Sequence, residues 1–140
     1  MDYTGETLTE RFEGCSLTAY PDVKGTWTIG YGHTGGVQPG QTCTQEQADE
    51  WLHIDIQGAV RAVQALVKVP LTQDEFNALV DFVFNVGSGN FAASTMLARL
   101  NLGDYAGAAA QFERWDLAGG NVIQGLLNRR IAEENEFNEH

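Results

Sequence analysis

The chain has 140 residues, 43% of them apolar, and a formal net charge of −11. That length fits one ordinary globular domain, burying roughly 68% of the unfolded chain's surface without needing a disulfide or a metal. With 19 acidic residues against 8 basic, a nucleic-acid partner is disfavoured, because phosphate binding rests on a basic patch.

The acids are spread along the chain (Asp49, Glu50, Asp55, Asp74, Glu75, Glu113, Glu133, Glu134, Glu136) and read as exposed helix faces. The opening MDYTGETLTERF has no basic region followed by an apolar run, and nowhere do about eighteen apolar residues run together. Neither a signal peptide nor stable membrane insertion is expected.

Residues 6–13 carry Leu8 and Phe12 at i, i+4, with Thr7 or Thr9 as caps, and predict a short first helix that Gly14 stops. From Leu17 to Gly36 the pattern changes to strands and turns. Trp27, Ile29 and Tyr31 alternate with Thr26, Thr28 and Gly30, so the apolar trio should face one way and Thr28 the other. Asp22 lies in a turn marked by Pro21 and Gly25.

Thr44 with Gln47 is a capping box that opens the longest predicted helix, whose apolar residues keep helical spacing from Ala48 to Val67. Its length is roughly 35 Å at 1.5 Å per residue. A second box, Thr72 with Glu75, opens a helix with little polar face (Phe76, Leu79, Val80, Phe82, Val83, Phe84, Val86), predicted to be central and buried. Gly87 and Gly89 should end it. Shorter helices are expected at about 92–101, at about 104–113 with Asp104 as cap, and at about 123–137 after Gly119-Gly120. The fold class is α+β and mainly helical. A small β-hairpin lobe (about 14–43) leads through a connecting helix (about 44–67) to a helical lobe (about 70–140), on which the first helix packs.

Paired carboxylates suit glycosidic bond cleavage, in which one protonates the leaving oxygen and the other activates water or attacks the sugar. Glu13 is the better acid, since apolar neighbours at a helix end favour its protonated form. Asp22, in a polar turn, is the better base, and the Thr28 hydroxyl can orient the water. By spacing alone the pair is a weak signal. His33 could be a base or, with Cys15 and Cys43, a metal ligand. Their scatter lacks ligand spacing, so no metal site is expected and a structural histidine pinning the hairpin is preferred.

The run Glu13, Asp22, Thr28 within FEGCSLTAYPDVKGTWTIGYGHT resembles the catalytic signature of phage-type lysozymes, the endolysins of glycoside hydrolase family 24. The resemblance continues through LTQDEFNALVDFVFNVGSGNF (71–91), QFERWDLAGG (111–120) and GLLNRR (125–130), in the family's order. It implies a single lysozyme-like domain and an N-acetylmuramidase that cleaves the β-1,4 bond between N-acetylmuramic acid and N-acetylglucosamine in peptidoglycan.

In that reading Glu13 is the general acid, Asp22 and Thr28 place and activate the water, and the reaction inverts. Gly30 and Gly32 let the glycan approach the backbone, and Phe84 and Asn85 line the far wall of the cleft. His33, Arg129 or Arg130 supports the site. No cofactor is implied, and a monomer is the default. Synthesis in the host cytoplasm and action on the wall after a holin opens the membrane are also implied.

Cys15 and Cys43 stay thiols in reducing cytosol. A bond between them would close a loop of about 28 residues and add roughly 3–4 kcal/mol. Two alternatives to the muramidase are a lytic transglycosylase and a silent wall-binding module on the same fold.

Overall fold

A computed structural model of the chain describes residues 1–118, 121–122 and 124–139. The expected Gly119-Gly120 turn and the expected helix start at 123 lie outside the described residues. Two compact units emerge, one made of Glu6–Gly58 and the other of Met1–Gly5 with Ala59–His140.

In the Glu6–Gly58 unit, helix α1 (Glu6–Glu13) leads into strands β1 (Ser16–Pro21) and β2 (Trp27–Gly30). Thr7 and Thr9 are not its caps, because the helix already begins at Glu6, and Thr9 is its buried residue. Gly14 ends it with φ 67°, its N–H bonding the Glu10 carbonyl at 3.1 Å. The strands pair antiparallel, with Tyr20 opposite Thr28 and Pro21 opposite Trp27, after an irregularity between Ser16 and Tyr20. A further bridge joins Thr18 to Thr42.

Tyr31 falls outside β2, because Gly30 takes φ 65° and turns the chain before it. Thr28 is buried as well as Ile29, so β2 does not divide into an apolar and an open polar face.

Helix α2 (Gln45–Leu66) runs 22 residues. Thr44 caps it as expected, its Oγ1 accepting the Gln47 N–H at 3.1 Å. Ala48, Leu52 and Ile56, at helical spacing, are buried along it.

In the other unit, helix α3 (Gln73–Val86) has the complete Thr72/Glu75 capping box and is buried continuously from Glu75 to Val83. Gly87 ends it at φ 96°. Gly89 instead lies within helix α4 (Ser88–Ala92), and Ser94 starts a separate helix α5 (Thr95–Asn101) by accepting the Leu97 N–H. The helix expected at about 92–101 is thus α5, which begins later, at Thr95, and α4 is a separate short helix before it.

Asp104 caps helix α6 (Tyr105–Ala109), and a one-turn 3-10 helix follows at Phe112–Trp115. Strands β3 (Leu117–Ala118) and β4 (Asn121–Val122), which the sequence did not suggest, precede helix α7 (Gln124–Phe137). Phe82 sits edge-on to Phe91, Phe112 and Trp115, with ring centroids 5.5–6.3 Å apart, the favourable arrangement for aromatic quadrupoles.

Candidate active site

Glu13, Asp22 and Thr28 all belong to the Glu6–Gly58 unit. Glu13 is the last residue of α1 and is half-buried. Gly32 passes close to it at φ 81°, where an added Cβ would stand 3.3 Å from Glu13 Oε1. A side chain there meets both a left-handed backbone and the carboxyl. Gly32→Ala should therefore cost about 1–2 kcal/mol in stability and lower turnover as well; parallel melting and rate measurements would show both.

Asp22 is set by a tight turn. Its Oδ1 accepts the backbone N–H of Lys24 at 2.8 Å and of Thr26 at 2.9 Å, a geometry Asp adopts readily. Its own N–H bonds the Thr26 carbonyl at 2.9 Å. Both side-chain bonds fall on Oδ1, and Oδ2 takes no partner among the described residues.

Thr28, only 4% exposed, donates its hydroxyl proton to the same Thr26 carbonyl at 3.0 Å. Its oxygen is left to accept. Asp22 and Thr28 therefore both hang on the peptide groups of Thr26, a link invisible in a pattern of side chains.

His33 lies at the end of the GYGH turn. Its backbone exchanges two 2.9 Å hydrogen bonds with Ile29, its Nδ1 lies 2.8 Å from Asp55 Oδ2, and its ring stacks on Trp51 at 4.6 Å and 5°. These contacts pin the turn to α2. His33→Ala should cost about 1–2 kcal/mol, most of it from the stack, because the contact with Asp55 is part-exposed; calorimetry gives the difference. Gly30, at φ 65°, leaves a side chain little room, since its Cβ would stand 3.3 Å from that of Ala48.

Cys15 is exposed, Cys43 is half-buried, and both are free thiols. The Cys43 N–H bonds the Leu17 carbonyl at 2.9 Å. Burial pushes the Cys43 thiol up, and the neighbouring Cys15 adds to the rise.

In the other unit, Phe84 and Asn85 are half-buried on α3. Arg129 and Arg130, on α7, are 3% and 0% exposed. Arg129 makes a two-pronged bond to Asp81, at 3.0 and 2.9 Å, and Arg130 pairs with Glu133 at 3.0 Å.

The chain belongs to the phage lysozyme family, whose model matches residues 10–133. It is similar to the endolysin of Acyrthosiphon pisum secondary endosymbiont phage 1, 43% identical over 95% of this chain and 94% of that one. It is also 47% identical to the endolysin of Bacillus phage PZA, over 99% of this chain but only 55% of that protein. Among solved structures, the muramidase domain of SpmX from Asticaccaulis excentricus matches with a TM-score of 0.93 at 38% identity, covering 99% and 97% of the two chains. A mutant of the lysozyme of phage P22 matches at 0.90 and 41%, covering 99% of each. The mainly helical, lysozyme-like architecture expected from the sequence is that of these neighbours.

Proposed function

We propose that the chain is a phage-type N-acetylmuramidase, an endolysin that cleaves the β-1,4 bond between N-acetylmuramic acid and N-acetylglucosamine in peptidoglycan, and that it works as one lysozyme-like domain. Its family membership and its similarity to endolysins and a muramidase domain support the activity. The observation that carries the mechanism is the shared hold of Thr26 on Asp22 and Thr28.

Because the Thr28 hydroxyl donates to the Thr26 carbonyl, its oxygen is free to accept a hydrogen bond from a water. Asp22 Oδ2 accepts the other. The water's lone pair is then aimed by two acceptors held by the backbone N–H and C=O of one residue, Thr26, and attack on the anomeric carbon delivers a proton to Asp22. Glu13, on the other side of the bond, protonates the leaving oxygen.

An intervening water makes the reaction inverting, which calls for carboxyls roughly 6.5–9.5 Å apart. Gly30 and Gly32 admit the glycan to the backbone, Phe84 and Asn85 contribute further sugar contacts, and Arg129 or Arg130 supports the site. The enzyme needs no cofactor, works as a monomer, and acts on the wall after release from the host cytoplasm.

Digestion of purified peptidoglycan tests this reading. Reducing muramic ends, α-anomeric at the earliest times by NMR, are expected. Anhydro ends would mean transglycosylation, and binding without products would mean a silent module.

The charge of −11 should repel an anionic wall. Activity on intact walls is therefore expected to hold or rise as salt increases from low values, because screening weakens the repulsion. A steep fall in a turbidity assay over that range would refute it.

A further inference from the structure

Gly30 and Gly32 both sit at positive φ, 65° and 81°, so the turn between them, closed at its base by the Ile29–His33 hydrogen bonds, relies on its contacts to hold its position. Yet Gly32 lies against the Glu13 carboxyl, its Cβ position 3.3 Å from Oε1. Any drift of this turn changes the space around the acid.

Gln45, the first residue of α2, touches both sides. Its Nε2 donates to the Tyr31 hydroxyl at 3.1 Å, in the middle of the turn. Its Oε1 accepts the Cys15 thiol at 3.9 Å, two residues beyond Glu13. The other Nε2 proton goes to Asp49 Oδ1 at 2.9 Å. That bond fixes the amide, its nitrogen facing the two oxygens and its oxygen the thiol. One side chain thus straps the segment leaving Glu13 to the turn that crowds it.

We propose that Gln45 is a positioning residue for the reaction: by holding Tyr31 and Cys15 together it sets where the Glu13 carboxyl stands against the Gly30–Gly32 turn. The inference rests on the reading of Glu13 as the general acid.

Steady-state kinetics on soluble peptidoglycan fragments, run well below the melting temperature, test it with Gln45→Ala, Tyr31→Phe and the double variant. Each single change should lower kcat about five-fold, the scale of one lost hydrogen bond, with KM little altered. The double variant should be no worse than either single one, because both break the same bond.

Unchanged kcat, or losses that multiply, would overturn the role. So would a lower melting temperature with kcat intact. If Gln45→Ala does not fold, Tyr31→Phe alone decides, since it removes only the hydroxyl. Glu13→Gln separates the two levels. An active Glu13→Gln removes the acid assignment and this inference with it, whereas an inactive one beside multiplying losses removes only the role of Gln45.

Discussion

Glu13→Gln is expected to lower kcat on peptidoglycan by about 10³-fold, within the 10²–10⁴ range that a positioned proton donor supplies, while the circular dichroism spectrum stays that of the wild type. The amide keeps the size and polarity of the side chain but has no acidic proton to give the leaving oxygen. Half-buried at the end of α1 with Gly32 passing over its carboxyl, the residue has a position that water cannot take over with comparable geometry. New reducing muramic ends, counted by mass spectrometry, should fall in proportion to rate. Retention of more than about a tenth of the wild-type rate would exclude Glu13 as the acid, since such a group is worth at least about a hundredfold. Asp22→Asn should also be severely impaired, for a different reason. Its Oδ1 can still accept from Lys24 and Thr26 and keep the turn, but the group can no longer take the water's proton.

Much of the frame can be read from local chemistry. The Thr72/Glu75 box and the apolar run behind it specify α3, and Gly87 marks its end. Ser94 starts α5 three residues later than the spacing suggested, and α4 before it is a separate short helix. The second hairpin is a different case, because strands of two residues are too short to show an alternating pattern. At the candidate site, Glu13, Asp22 and Thr28 are a weak signal by spacing and stand out only through the family's pattern, and the element joining two of them is the backbone of Thr26. The partners of His33 were hidden for a related reason. Asp55 lies 22 residues away on a helix whose acids all look solvated, and only the folded register brings it to the imidazole Nδ1. Gln45 looks like an ordinary first-turn residue. Gln45 is itself exposed, and nothing in composition marks that its amide reaches Tyr31, Cys15 and Asp49.

The largest expected loss of stability comes from Arg129, a charged side chain that is buried. Asp81, Arg129, Arg130 and Glu133 are each no more than 3% exposed. Arg129 Nε also lies 3.8 Å from Glu133. Arg130 Nε approaches Glu133 Oε1 at 2.7 Å but is misaligned for a hydrogen bond, and its guanidinium sits 5.0 Å from the centre of the Phe82 ring. Such a cluster adds little net stability, because desolvation offsets attraction, but removing one partner strands a buried charge. Arg129→Met should therefore cost roughly 3–5 kcal/mol, a fall in Tm on the order of 10 °C for a chain of this size. The double variant Arg129→Met/Asp81→Leu should recover most of that loss. A single variant that melts within about 2 °C of the wild type would show that the pair carries no such penalty. Glu133 adds a pH signature. Burial pushes its carboxyl well above the ordinary value of 4.5, and the contact with Asp81 and its charge add to the rise against the pull of Arg130 and Arg129. A raised carboxyl favours the folded state in its protonated form, so its contribution is complete below the ordinary value and is lost as pH climbs through the folded one. Glu133→Gln, neutral at every pH, should flatten that part of the stability profile. An identical slope of Tm against pH in the two proteins would place the titration elsewhere.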